Sequence, residues 1–261
     1  MEAPITPLPV PPGVPVIFLF GGSFDPPHLG HVRLPAAVRD ALEPALDAVG
    51  AAWIVYIPAA RSPLKPSGPG ASDADRLEML RLATRGLPRS AVWTDELDRG
   101  EAPSYTIDTV RRARRALGPG TVIRLLIGAD QSADFHRWRD FRELIRLAEP
   151  VVMPRDPGDV TARQSGVTTG ADLAARLRTS GIYSEDELVR WAARLVSVPP
   201  LVASSTRVRA TLESAAEPAR GSATARAGDP ARAGDPARLP LDPLVGEFIA
   251  TRGLYRRRGA C

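Results

Sequence analysis

Apolar residues recur along this chain in two rhythms. Apolar runs of strand length, broken only by Arg124, stand at residues 16–19, 53–57, 91–93, 122–127 and 150–154. Runs of this kind, closed by glycine or proline, predict buried strands. Between them the apolar positions spread to spacings of three and four. Leu34, Val38 and Leu42 predict a helix over residues 32–46, Leu77, Leu80 and Leu82 predict one that starts at Asp73, and a third runs on to Leu117. Gly118-Pro119-Gly120 stops the third, and Ser104 or Thr106 is its expected cap. Further helices are expected over residues 141–147, over 185–194 with Trp191 on the core side, and at the end of the chain as far as Thr251. Residues 195–198 suggest a last strand. Strand and helix in alternation predict an α/β fold, a doubly wound parallel sheet with flanking helices and a small C-terminal helical part.

The pattern lapses in three places. Residues 1–13 are proline-rich and read as a disordered leader to a single domain over 14–261. Residues 155–184 loosen into Thr, Gly and Asp, and residues 213–238 are low in complexity. The hexapeptide Ala225-Arg226-Ala227-Gly228-Asp229-Pro230 recurs at once over residues 231–236, with no apolar face to bury. Both stretches read as insertions, the second as a flexible loop.

Directly after the first run the chain reads Phe20-Gly21-Gly22-Ser23-Phe24-Asp25-Pro26-Pro27-His28-Leu29-Gly30-His31. A buried strand that breaks at a double glycine and re-enters as a helix is a geometry for binding phosphate. Gly21 and Gly22 permit positive φ and a close approach to bare main-chain N–H groups. A helix that opens between His28 and His31 adds unpaired N–H groups and a positive dipole end. The two histidines, three apart, share a helix face with Gly30 leaving room between them, so both imidazoles can reach one phosphate. A metal pair and two ordinary turn histidines are the competing readings. The chain has three histidines and one cysteine, too few partners for a zinc site, and no resident metal site is expected.

A second stretch, Ala203-Ser204-Ser205-Thr206-Arg207-Val208-Arg209, sets three hydroxyls at a helix start with a guanidinium one turn on. Such a set can donate to phosphate oxygens, although a simple Ser/Thr cap would look the same in isolation. Asp130 follows the fourth strand, where α/β folds place ligand contacts. Lys65, the only lysine, sits in a proline-rich loop and could face a phosphate or carboxylate.

Composition narrows the function classes. The 261 residues are 44% hydrophobic and 25% charged, ordinary values for a globular core. A net charge of only +4, carried almost wholly by arginine, reads as solvated surface suited to anionic small molecules, with no nucleic-acid groove expected. Cys261 stands alone, so no intrachain disulfide is expected, and no apolar run approaches membrane-spanning length. A cytoplasmic, soluble protein without a membrane partner is the expectation; the insertions leave room for a homo-oligomer.

The first stretch resembles the nucleotidyltransferase signature with its His-x-Gly-His tetrad, in the wording of bacterial nicotinate-nucleotide adenylyltransferases. Ser204-Ser205-Thr206-x-x-Arg209 resembles a second element of that family, with Ala203 where isoleucine is usual, and residues 103–106, Gly128-Ala129-Asp130, Trp138 and Gly253-Leu254-Tyr255 match in order. The resemblance implies a Rossmann-like fold and transfer of the adenylyl group of ATP to nicotinate mononucleotide, with Mg2+, in NAD biosynthesis. It implies that His28, His31 and Arg209 are catalytic. Gly21, Gly22, Ser23, Phe24, Ser204, Ser205 and Thr206 would bind ATP, while Lys65, Tyr105, Thr106, Asp130 and Trp138 would bind the mononucleotide, Trp138 by stacking on the pyridine ring. A related adenylyltransferase acting on nicotinamide mononucleotide or phosphopantetheine, and a non-catalytic nucleotide sensor, are the alternatives.

Overall fold

The computed structural model describes residues 6–60, 70–100, 103–154, 166–199, 201, 203–215 and 239–255. Five strands, β1 (Val16–Gly22), β2 (Trp53–Pro58), β3 (Ser90–Val92), β4 (Val122–Gly128) and β5 (Glu149–Met153), form one parallel sheet in the order β3-β2-β1-β4-β5. Along β1 the side chains alternate between two cores. Ile17 and Leu19 join Val55, Ile123, Leu125 and Ile127 on one face, and Val16, Phe18 and Phe20 join Ile54, Tyr56 and Leu126 on the other. Both faces are apolar because both are covered by helices, which is why the strands read as largely apolar runs and not as alternations.

The helices divide between those faces. Leu34 and Val38 of α1 (Leu29–Leu42) and Leu80 of α2 (Asp73–Thr84) pack on the second core. After the short α3 (Asp95–Asp98), α4 (Thr106–Leu117) buries Ile107, Val110 and Ala113 in the first core. The first core also takes Leu144 of α6 (Phe141–Leu147), which follows the single turn α5 (Ala129–Ser132). Connections leave β1 toward β2 and β3, and β4 continues on the other side toward β5. The carboxyl ends of β1 and β4 therefore flank the point where the winding reverses, the place where such sheets hold ligands.

Several expectations need correction. α1 starts at Leu29, within the expected opening between His28 and His31, but it ends at Leu42 and not at residue 46, with a separate 3-10 turn over Pro44–Leu46. The leader is packed from residue 6 onward: Trp93 Nε1 donates to the Thr6 carbonyl at 3.0 Å, and Leu8 and Val10 lie on the first core. Within the stretch read as an insertion stands α7 (Gly170–Arg178), whose Leu173 and Leu177 pack with Leu188 and Trp191 of α8 (Glu185–Ala193). Thr169 and Asp172 cap α7 reciprocally, side chain to main chain. The last strand shrinks to one bridge, Leu195 to Val152, because the next ladder bond in that register would need an N–H from Pro154, which has none.

Neither Ser104 nor Thr106 caps α4. Tyr105 is the capping residue, Thr106 is already helical, and the Ser104 hydroxyl donates to Glu96 at 2.5 Å, because that buried carboxylate needs its donors more than the helix end does. α9 (Ser205–Ala215) extends three residues into the second expected insertion. α10 (Pro243–Arg252), capped by Asp242, lays Val245 and Ile249 on Met79 and Ala83 of α2. Residues 1–5, 155–165, the repeat-bearing 216–238 and the arginine tail beyond residue 255 lie outside the described residues. Among the described residues no helix is long and apolar enough to cross a membrane.

The junction of α7 and α8 gives a direct test of the packing. A Cβ on Gly170 would lie 2.3 Å from the Ala192 carbonyl oxygen and 3.0 Å from its carbon, main-chain atoms that cannot swing aside. Gly170→Ala is expected to lower the unfolding free energy by about 1–3 kcal/mol, the usual cost of overpacking, read from urea denaturation.

Candidate active site

The first motif occupies the carboxyl end of β1 and the turn into α1. Gly21 and Gly22 belong to the strand, and neither uses the positive φ open to it; the left-handed residue of the turn is Phe24, at φ 47. Phe24 is held there by its ring, buried edge-on against Phe20 at 5.6 Å and His31 at 5.2 Å. Gly22 is glycine for a steric reason, since a Cβ there would meet the Phe24 ring at 3.0 Å. Gly21 is exposed, with open space where a Cβ would stand.

His28 is the N-cap residue of α1 and only 3% exposed, while His31, in the first turn, is half-buried. The two rings stack, with centroids 3.7 Å apart and planes 17° from parallel. The His28 main-chain N–H donates to His31 Nδ1 at 3.2 Å. In the neutral ring that acceptor role leaves the proton on Nε2, so His31 Nε2 is a donor. A Cβ on Gly30 would fall 3.0 Å from the His28 ring and 3.1 Å from Ala203 Cβ. Gly30 therefore admits the ring and the second motif together. The helix end is less open than predicted: Leu29 N–H is taken by the Pro240 carbonyl at 2.7 Å and His31 N–H by the His28 carbonyl at 2.8 Å.

The second motif is folded directly onto the first, through hydrogen bonds that span 179 and 184 positions in sequence. The Ser205 hydroxyl donates to the Pro26 carbonyl at 3.0 Å, and an Arg209 guanidinium N–H donates to the Asp25 carbonyl. Ser204 and Ser205 are half-buried and Thr206 is exposed, with its Oγ1 3.5 Å from Arg209 Nη2. The proton of the Ser205 hydroxyl is thus already placed within the loop, so this side chain joins the two motifs.

The residues expected to bind the mononucleotide lie at the neighbouring strand end and beyond it. Asp130 is half-buried in the first turn of α5, straight after β4, with the Gln131 side chain accepting from Gly128 N–H at 3.2 Å. Trp138 stacks on the buried Phe135 at 5.0 Å, and its Nε1 is buried with no acceptor among the described residues. Arg139 lies 4.8 Å from the Tyr105 ring centroid, over its face. Beside them, the buried Glu96 carboxylate accepts from both Ser104 and Thr109, and so holds the turn that carries Tyr105 and Thr106. Lys65 lies outside the described residues.

Three supporting residues were not singled out from the sequence. Asp25, inside the first motif, accepts from Gly70 N–H at 2.7 Å, Ala71 N–H at 3.1 Å and the Tyr255 hydroxyl at 2.6 Å. Burial and that neighbouring carboxylate push the Tyr255 phenol far above its ordinary value, so it remains a donor. Arg76, fully buried, donates at 2.7 Å to each of the Ser23 carbonyl, the Ala59 carbonyl and Asp73. Asp25 and Tyr255 stood in stretches that had been noticed. Nothing distinguished Arg76 among so many arginines.

Residues 19–211 match the model of the cytidylyltransferase-like family. A Marinobacter nauticus protein named "Probable nicotinate-nucleotide adenylyltransferase" is 36% identical over 203 residues, which is 77% of this chain and 87% of that protein. A Chromobacterium violaceum protein of the same name is 34% identical over 244 residues, 91% of this chain and 97% of that protein. In fold, the chain is similar to Plasmodium falciparum nicotinic acid mononucleotide adenylyltransferase complexed with NaAD. The TM-score is 0.55 at 15% identity, covering 92% of this chain and 97% of that one.

Arg76→Met tests how much the loop after β1 owes to its buried guanidinium. Two main-chain carbonyls would each lose a bond to a fully buried guanidinium, and a loss of about 3 kcal/mol of unfolding free energy is expected from urea denaturation.

Proposed function

We infer that this chain, which belongs to the cytidylyltransferase-like family, is a nicotinate-nucleotide adenylyltransferase. It transfers the adenylyl group of ATP to nicotinate mononucleotide and forms nicotinate adenine dinucleotide and pyrophosphate, a step of NAD biosynthesis. The observation that carries the assignment of the site is the stacked pair His28 and His31 at the amino end of α1, joined to the Ser/Thr/Arg element at the carboxyl edge of β1.

The reaction is an in-line displacement. A phosphate oxygen of the mononucleotide bonds to the α-phosphorus of ATP as the bond from that phosphorus to the bridging oxygen breaks, and pyrophosphate leaves with the electron pair. No protein nucleophile is needed; what the protein supplies is position and charge. His31, with Nε2 as donor, stabilises the negative charge that grows on the α-phosphoryl oxygens. His28 stacks against it and orients the ring. Arg209, with Ser204 and Thr206 nearby, takes the β and γ phosphates. Gly21, Gly22 and Ser23 let the chain pass close to the nucleotide, and Phe24 shapes that turn from within the core. Trp138, Tyr105 and Thr106 receive the pyridine ring and its carboxylate, with Asp130 and Lys65 toward the ribose and phosphate.

Magnesium enters this reading with ATP, as the metal complex of the triphosphate. Among the described residues no group of three or more His, Cys, Asp or Glu side chains converges, and an ion that keeps its waters and binds through substrate phosphates does not require one. Bound there, it would neutralise part of the triphosphate charge. The chain is read as one catalytic domain from residue 14 onward, cytoplasmic, with small molecules as its partners and no nucleic acid among them.

Pyrophosphate release from ATP, assayed with acid and amide mononucleotides and with phosphopantetheine, tests the substrate. The acid is expected to give the highest kcat/KM; preference for the amide would overturn that choice, and nucleotide binding without pyrophosphate would make the protein a sensor. His31→Ala is expected to lower kcat by roughly 100-fold or more, the scale of a lost transition-state donor, while the melting temperature stays within about 3 °C. Near-normal turnover would remove His31 from the chemistry.

A further inference from the structure

The proposed chemistry leaves Tyr255 without a role, yet it reaches into the first motif. α10 ends at Arg252, and the chain then turns back through Gly253 at φ 63 and Tyr255 at φ 60. Glycine takes that conformation freely, whereas tyrosine is found there only where its surroundings hold it. The Tyr255 ring packs with Leu254 beside Ala71 and Met79, and its hydroxyl donates to Asp25 Oδ1 at 2.6 Å.

Asp25 works at both ends. Its carboxylate is held by Tyr255 and by the Gly70 and Ala71 N–H groups, while its main-chain carbonyl accepts from Arg209, whose Nη1 also lies 3.9 Å from Asp25 Oδ2. A buried carboxylate needs donors for its own sake, which accounts for its being satisfied. That need does not account for the segment after α10 returning a strained tyrosine to supply one, on the residue against which Arg209 is set.

We propose that Tyr255 is a positioning residue for ATP: by holding the Asp25 carboxylate it fixes the Asp25 carbonyl, and so orients the Arg209 guanidinium toward the triphosphate. This rests on the reading of Arg209 as part of the phosphate grip. Tyr255→Phe removes one oxygen and keeps the ring. It is expected to weaken binding of a non-hydrolysable ATP analogue, measured by calorimetry, by about tenfold, the worth of one charge-assisted hydrogen bond. KM for ATP should rise in step, with KM for the mononucleotide changing by less than about twofold. In an Arg209→Ala background the same substitution should add nothing, because the group it positions is gone.

Leu254→Ala loosens the same segment without touching the hydrogen bond. It should lower the melting temperature and leave analogue affinity alone. Three results would overturn the proposal: unchanged analogue affinity in Tyr255→Phe, independent multiplication of the Tyr255 and Arg209 effects, or a Leu254→Ala variant that loses affinity as Tyr255→Phe does. A wild-type protein that binds the analogue but releases no pyrophosphate would instead overturn the reaction, with the calorimetric comparison still deciding the role of Tyr255.

Discussion

A carboxylate taken out of water has to be given donors, and around Asp25 that requirement organises the molecule. The donors come from Gly70 and Ala71 just before α2, from the segment after α10 and, through the main chain, from α9. Each of these lies far from Asp25 in sequence, so the bonds form only when the whole domain has closed around the loop. Because losing even one partner in such a place is expensive, the loop after β1 is held in a single arrangement, and the two histidines that follow are held with it.

The sheet supplies the second constraint. A parallel sheet covered on both faces leaves only its strand ends open, and the reversal of winding between β1 and β4 leaves a gap in the cover at their carboxyl ends. Into that gap the chain places a loop rather than a long side chain: main chain over glycine, with imidazoles on a helix end. Chemistry based on placing phosphates suits such an edge, because rigid strands and a helix terminus hold their donors without having to move.

Much of the fold was legible because burial on two faces writes itself as largely apolar runs, and the five strands of the sheet stand at those runs. The end of α1 was misread by four residues, since the apolar Leu46 keeps the helical spacing of Leu42 although Pro44 starts a separate turn. α7 was missed for a different reason. Its Thr- and Gly-rich approach looked like loop, although Thr169 and Asp172 stand at the spacing of a reciprocal cap and were the signal to read. Ser104 shows the opposite error, for it had the right chemistry for a cap and was claimed by the buried Glu96.

By itself the sequence determined the class of fold, the strand that leads into the glycine turn and the membership of its two main motifs, because these depend on neighbours along the chain. Only the tertiary structure decided what those motifs touch. That His28 and His31 stack, that Ser205 closes on Pro26, that Gly22 is small for the sake of Phe24, and that Tyr255 returns to Asp25 are relations between residues separated by turns or by most of the chain. Periodicity carries no record of them, because a hydrogen bond across the fold is chosen by which groups burial leaves in need of a partner.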